Sequence, residues 1–129
     1  MTIDPRFLDV DDVLEIHSVG LERYGGSAGV RDRGLLESAV GMPSSSFGGQ
    51  YLHDDLFAMA AAYAFHVAQN QPCLDGNKRA GLGAALVFLA ENGWAISDPT
   101  MRLYDAMIAI AERRMTKDGL AAVLRELAA

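Results

Sequence analysis

The sequence lacks a second cysteine that could form a disulfide, and it lacks a long apolar run that could anchor it in a membrane. Its single cysteine, Cys73, excludes an internal disulfide. The most apolar run, residues 80–90, is far shorter than the roughly 20 residues that a membrane-spanning helix needs. No basic segment followed by an apolar stretch opens the chain, as a secretion signal would. We therefore expect a cytoplasmic protein that does not enter a membrane.

Basic residues are also in the minority. The chain has 11 Lys and Arg against 17 Asp and Glu, which gives a formal net charge of −6. Because a surface that binds nucleic acid must neutralise many phosphates, this balance argues against direct nucleic-acid binding. Positive charge could still be focused on one small anion, because Lys78 and Arg79 are adjacent and Arg102 and the pair 113–114 follow.

Apolar residues recur at helical spacing along most of the chain, and no segment alternates convincingly with period two. Asp11 and Asp12 can cap a first helix that ends near Tyr24, and Asp32 can cap a short second helix that Gly41 stops. A loop is expected over residues 43–51. Further helices are predicted at about 54–69, 77–92, 101–114 and 117–127. The helix over 77–92 is apolar on nearly every side, so the pattern predicts an all-α bundle with this helix at its centre, built as a single domain over residues 1–129.

A polar cluster, Asp75-Gly76-Asn77-Lys78-Arg79, lies where a loop enters that central helix. The first N–H groups of a helix are unpaired and its dipole end is positive, which suits a phosphate. The two basic side chains could neutralise phosphate charge, and the carboxylate is the kind of ligand that holds Mg²⁺ beside substrate phosphates. The cluster therefore indicates an Mg-nucleotide site. The alternative is a capped helix start whose charges are solvated.

The segment "NQPCLDGNKRAGLGAALVFLAENGW" resembles the Fic/Doc family motif, H-x-F-x-[DE]-G-N-[GK]-R. The resemblance continues upstream through "RYGGSAGVRDRGLLESAVGMP" and "FGGQYLHDDLFAMAAAYAFHVAQN", so it covers most of the chain. It implies a compact six-helix fold and transfer of part of a nucleotide to a protein hydroxyl. Fic members usually transfer AMP, whereas Doc toxins resemble kinases that phosphorylate elongation factor Tu and stop translation.

The resemblance assigns roles by position. Asp75 would coordinate Mg²⁺, Gly76 and Asn77 would form the anion-binding turn, and Arg79 would hold a phosphate of ATP. Lys78 stands where AMP-transferring members usually have glycine, which favours the Doc-like, phosphoryl-transferring branch. Lys78 and Arg79 would thus serve both phosphate binding and catalysis. The family also implies an antitoxin partner, often with a disordered segment that folds on the toxin.

Two positions depart from the family pattern: Gln71 stands at the motif histidine and Cys73 at the motif phenylalanine. The histidine acts as general base on the target hydroxyl, whereas a glutamine amide has no useful proton affinity near neutral pH. We therefore expect weakened or abolished catalysis. An inactivating substitution, natural divergence and a replacement base remain open explanations. His66 is the candidate base, although in a continuous helix it points away from the Gln71 direction.

The remaining candidate side chains have structural interpretations. Cys73 has no evident histidine partner and is expected to be a small buried hydrophobe rather than a nucleophile. His17 and His53 have no metal-ligand spacing, so we expect them to be structural or solvated. The leading hypothesis is a Doc-like toxin that uses Mg-ATP on a protein target, with impaired catalysis. The alternatives are a non-catalytic binding module with the same fold and an AMP transferase.

Overall fold

The computed structural model describes residues 4–128, and this part of the chain folds as six helices and one short β-hairpin. The elements in chain order are α1 Val10–Tyr24, α2 Arg33–Gly41, β1 Ser46–Phe47, β2 Gln50–Tyr51, α3 Leu56–Asn70, α4 Asn77–Glu91, α5 Arg102–Ala111 and α6 Lys117–Leu127. The prediction of an all-α bundle is confirmed. Within residues 4–128 no helix combines the length and the apolar character that a membrane span requires.

The hairpin lies in the segment that was expected to be a loop. Its strands pair antiparallel, with Phe47 opposite Gln50. The connecting residues Gly48 and Gly49 have φ angles of 60° and 80°. A two-residue turn with positive φ at both positions matches the twist of paired strands, and glycine adopts it without strain. The two strands are too short to show an alternating pattern, so the periodicity of the sequence did not predict them.

Aspartate side chains cap the first three helices, and for α1 the cap lies before the predicted Asp11 and Asp12. Asp32 caps α2 as predicted, and its Oδ1 accepts a hydrogen bond from the Leu35 N–H at 3.0 Å. For α1 the cap is Asp9, which exchanges side-chain and backbone hydrogen bonds with Asp12 in a capping box. For α3 the cap is Asp55, whose side chain accepts a hydrogen bond from the Ala58 N–H.

Helices α3 and α4 together form the centre of the bundle. Helix α3 packs against α2, α4, α5 and α6, while α4 packs against α1, α3 and α5. The largest fully buried side chains include Tyr63 from α3 and Phe88 from α4. The two helices approach closely at Gly81, where a Cβ would lie 2.8 Å from the backbone oxygen of Ala64. The helix that follows the polar cluster is therefore buried, as predicted.

Two helix ends meet beside the polar cluster. Helix α3 ends at Asn70, and Gln71 then takes the left-handed conformation, with φ 48° and ψ 54°. Helix α5 ends at Ala111, three residues before the predicted end, because Arg113 has a φ of 62° and turns the chain away. Both ends open onto the loop that leads into α4.

Candidate functional site

A polar cavity of about 350 Å³ lies at the start of α4, between the C-terminal ends of α3 and α5. Five of the six residues proposed for the site line it. The complete lining is Ala68, Gln69, Gln71, Leu74, Asp75, Gly76, Asn77, Lys78, Ala111 and Arg113. Ligand sites in proteins are of similar size, and they hold a few convergent polar groups. The fold thus brings residues 71 and 75–78 together on the wall of one cavity.

Gln71 follows the last residue of α3 and begins the motif loop, residues 71–76, which leads into α4. Its N–H donates to the Val67 carbonyl at 3.2 Å, which ends the helix, and its side chain is exposed to the cavity. A left-handed backbone is uncommon for a residue with a Cβ and is often found at functional sites. The structure thus places Gln71 on the cavity wall, and its correspondence to the general base of the family motif stays a prediction.

Asp75 presents an ionised carboxylate at the rim of the cavity. Its Oδ2 accepts from the Ser27 N–H at 3.2 Å and its Oδ1 from the Gly76 N–H at 2.8 Å. These hydrogen bonds, helped by the charge of Arg79, lower the pKa of Asp75 below its usual value. The side chain is exposed, so its charge is available to a cation.

The start of α4 has the features of an anion-binding turn. Gly76 is the N-terminal cap with φ 74° and ψ 20°, and no side chain caps the first turn. The side chain of Asn77 closes the loop instead, because it accepts from the Cys73 N–H at 2.9 Å and donates to the Cys73 carbonyl at 3.0 Å. The first backbone N–H groups of the helix are consequently left without a capping side chain.

The two basic residues of the motif face different surroundings. Lys78 is exposed and lines the cavity. Arg79 does not line it: the Nη2 of Arg79 donates to the Gly25 carbonyl at 2.9 Å, and its guanidinium lies 5.3 Å from the centre of the Tyr24 ring. In this arrangement Arg79 ties the motif helix to the end of α1, and its expected role in holding a phosphate stays a prediction.

Two residues that shape the motif loop were not predicted for the site. His17 is buried, and its Nε2 donates to the backbone carbonyl of Asp75 at 2.7 Å. Arg31 donates from Nε and Nη2 to the Gln71 carbonyl, at 3.0 and 2.8 Å, and from Nη2 to the Asn70 carbonyl at 3.2 Å. Both come from segments about 40 or more residues upstream, so no local pattern could have connected them to the motif.

Residues 25–32 form a strap across the motif loop, to which Arg31 belongs. Its backbone pairs with the loop, since the N–H groups of Arg31 and Asp32 both donate to the Pro72 carbonyl, at 2.7 and 3.0 Å. The Leu74 N–H donates back to the Gly29 carbonyl at 3.1 Å. The motif loop is thus held from outside by backbone hydrogen bonds.

His66 does not line the cavity. Its Nε2 accepts a hydrogen bond from Lys117 Nζ at 3.0 Å, and burial together with the charge of Lys117 lowers the pKa of His66 to about 4. Burial also lowers the pKa of His53. This geometry gives no support to His66 as a replacement base for Gln71.

Among residues 4–128 no group of three or more His, Cys, Asp or Glu is placed to hold a metal ion.

Cys73 is buried, and burial raises the pKa of its thiol. A thiol with a raised pKa is a poor nucleophile because little of it is thiolate at neutral pH. The expectation that Cys73 is a small buried side chain is confirmed.

Sequence comparisons with known proteins show which family the chain belongs to. Residues 7–89 match the sequence profile of the Fic/DOC family. The chain is 38% identical over 126 residues to the "Toxin Doc" of Mycolicibacterium smegmatis, which covers 96% of this chain and 95% of that protein. It is 30% identical over 122 residues to the "Protein kinase doc" of Escherichia phage P1, which covers 95% of both chains. The chain therefore belongs to the Fic/DOC family.

Proposed function

We propose that this protein is a Doc-like toxin of a bacterial toxin–antitoxin pair. It would transfer a phosphoryl group from Mg-ATP to a hydroxyl of a translation factor, elongation factor Tu by family resemblance. The observation that carries the proposal is the polar cavity in which Gln71, Asp75 and Lys78 meet at the uncapped start of α4. The two Doc relatives, one named a toxin and the other a protein kinase, support the same function.

The residues of the cavity fit an Mg-nucleotide. Asp75 supplies a single ionised carboxylate, and Mg²⁺ is commonly held by one or two carboxylates together with substrate phosphates and water. When bound, Mg²⁺ would neutralise charge on the phosphates. The uncapped N–H groups of α4 and the ammonium group of Lys78 would bind phosphate oxygens beside it.

Gln71 limits the step in which the target hydroxyl loses its proton. Transfer forms a bond from the target hydroxyl oxygen to the terminal phosphorus, breaks the bond to ADP and releases the hydroxyl proton. The amide of Gln71 can hydrogen-bond the hydroxyl and orient it, but it does not accept the proton. Loss of a general base costs about 10²–10⁴-fold, so we expect nucleotide binding with little turnover.

A groove between α1 and α4 supports the antitoxin part of the proposal. It has a volume of about 750 Å³ and is bordered by the N-terminal segment. Apolar residues such as Ile16, Val19 and Leu86 lie along it, and charged residues such as Arg23 and Glu91 flank them. An amphipathic antitoxin segment that folds on binding would match this pattern. A Val19→Glu variant should then lose antitoxin binding while its affinity for Mg-ATP stays unchanged.

Intact-mass spectrometry of elongation factor Tu tests the function directly. The factor is incubated with Mg-ATP and either this protein or its Gln71→His variant, and a Gln71→His, Asp75→Asn double variant serves as control. We expect the single variant to add about 80 Da, the mass of a phosphoryl group, and the control to add nothing. An addition of about 329 Da would instead identify an AMP transferase.

Absence of any added mass with the Gln71→His variant would contradict the kinase proposal for this target. Tight binding of Mg-ATP under the same conditions would then favour the non-catalytic binding module. The two measurements together separate the three functions.

A further inference from the structure

Arg113 also lines this cavity, although the family motif contains no residue from this part of the chain. The same residue borders a neighbouring cavity of about 400 Å³, which Gln69 and Lys117 line as well. It follows the last turn of α5, and its φ of 62° places it in the left-handed region. The three non-glycine residues with positive φ in the range 4–128 are Gln71, Met101 and Arg113, and two of them line this one cavity. The left-handed conformation of Arg113 closes the end of α5, a position where glycine is the usual residue.

The turn that carries Arg113 is fixed to the end of α3. The Ile110 carbonyl accepts from the Arg113 N–H at 3.0 Å and from the side-chain Nε2 of Gln69, also at 3.0 Å. The Arg114 N–H donates to the Ala109 carbonyl at 2.7 Å. Because Gln69 lies two residues before Gln71, the two ends of the cavity are held at a fixed separation.

The guanidinium of Arg113 has no assigned partner within residues 4–128. No hydrogen bond or salt bridge involves it there, whereas the neighbouring Arg114 pairs with Glu112. The ionisable side chains that line the cavity are Asp75, Lys78 and Arg113, one acid and two bases. An unpaired arginine on the wall of a cavity with excess positive charge is suited to an anion, and its planar fork matches phosphate oxygens.

We infer that Arg113 is a further binding residue of this site, which contacts the phosphate chain of the nucleotide together with Lys78. The inference rests on the proposed function, because it takes the ligand of the cavity to be a nucleoside triphosphate. Left-handed backbone at residue 113 is the conformation that glycine adopts without strain. The arginine therefore costs the fold stability and supplies a charge that glycine would not.

The test measures nucleotide affinity and thermal stability on the same variants. Dissociation constants for Mg-ATP, Mg-ADP, AMP and adenosine are determined by isothermal titration calorimetry for the unmodified protein and for Arg113→Gly. We expect Arg113→Gly to raise the Tm by about 3 °C through relief of strain. We expect it to weaken Mg-ATP binding by about 10–100-fold, with smaller losses for shorter phosphate chains and little change for adenosine.

Two further variants complete the design. Arg114→Gln removes the adjacent charge and should change Mg-ATP affinity by less than about twofold, because Arg114 does not line the cavity. Arg113→Asn tolerates the left-handed backbone and should lose affinity as Arg113→Gly does.

Unchanged Mg-ATP affinity in Arg113→Gly overturns the inference and leaves the proposed function standing. An equal loss for adenosine also overturns it, since the arginine would then not act on phosphate. Unchanged ATP affinity combined with weaker binding of the protein target would assign Arg113 to the target instead. Failure of the unmodified protein to bind any of the nucleotides would overturn the inference and the proposed function together.

Discussion

The Nε2 atom of His17 lies 2.7 Å from the backbone carbonyl oxygen of Asp75, which joins the middle of α1 to the motif loop 58 residues later. Because a carbonyl only accepts, Nε2 must carry the proton. His17→Ala should leave this carbonyl without its partner and lower the free energy of unfolding by about 1–3 kcal/mol. Thermal unfolding measures the loss, and hydrogen exchange should show faster exchange of the amides at 75–77.

His17→Gln provides the matched control, because its amide retains a donor on a side chain of similar length. We expect it to recover part of the stability lost in His17→Ala. Equal Tm values for His17→Ala and the unmodified protein would show that the contact does not hold the loop.

Replacement by lysine should destabilise the protein far more at Arg31 than at Arg33, because Arg31 makes three hydrogen bonds to backbone carbonyls. Arg31 bonds the Gln71 carbonyl with two nitrogens and the Asn70 carbonyl with one of them. A lysine ammonium cannot reproduce this fork, so Arg31→Lys should lower the free energy of unfolding by about 1 kcal/mol and weaken Mg-ATP binding. Arg33 makes an exposed pair with Glu37, and Arg33→Lys should change stability by less than about 0.5 kcal/mol. Urea titrations of both variants would decide, and equal effects would contradict the prediction.

Two glycine-to-alanine substitutions should shift stability in opposite directions. At Gly81 in α4 a Cβ would lie 2.8 Å from the Ala64 backbone oxygen and 3.2 Å from its Cα, so the helices must separate. Gly81→Ala should therefore destabilise the protein by about 1–3 kcal/mol. At Gly20 in α1 nothing lies within 4 Å of the added Cβ. Gly20→Ala should stabilise by about 0.5–1 kcal/mol through better helix propensity.

Differential scanning calorimetry of the two variants provides the measurement. A Gly81→Ala protein as stable as the unmodified one would mean that α3 and α4 do not approach as closely as described. A destabilised Gly20→Ala would indicate a contact on that face of α1.

Stability should fall as the pH is lowered from about 6.5 towards 4, in part because of His66. The pKa of His66 drops from 6.5 to about 4 on folding, through burial and the charge of Lys117. The unfolded chain therefore binds a proton below pH 6.5 that the folded protein does not, and acid favours unfolding. Above pH 6.5 the effect vanishes. His53, whose pKa is lowered in the same direction, adds to the trend.

His66→Gln removes the titrating group and keeps an acceptor for Lys117. The Tm of this variant should fall less than that of the unmodified protein between pH 7 and 4.5, and His53→Gln should show a similar but separate effect. A Tm difference between His66→Gln and the unmodified protein that stays constant across this range would contradict the prediction.

Much of the fold could be read from local patterns. The spacing of apolar residues located α3, α4 and α6 closely, because helices buried in a bundle repeat their apolar positions every three to four residues. The hairpin and the end of α5 were missed. A two-residue strand has no measurable period. The end of α5 depends on Arg113, which takes a left-handed backbone conformation that glycine usually supplies at the end of a helix.

The site was predictable where its residues are neighbours in sequence. Gln71, Asp75 and Lys78 stand within one short segment, so the resemblance to the family motif placed them, and all three line the cavity. The side-chain partners of the motif were not predictable. His17 and Arg31 were treated as structural or left unmentioned, since nothing around them differs from an ordinary helix or loop residue.

The sequence by itself determined the helical bundle and the position of the motif loop. It also determined that residue 71 is a glutamine, which cannot act as a general base. These depend on residue type and on short-range spacing. Only the tertiary structure decided that Arg79 bonds to Gly25, that Arg113 lines the cavity, and that His17 and Arg31 hold the loop. The reason is physical: the side-chain hydrogen bonds of Arg79, His17 and Arg31 join residues that are 39 to 58 positions apart, and only the packing of the bundle brings their partners together.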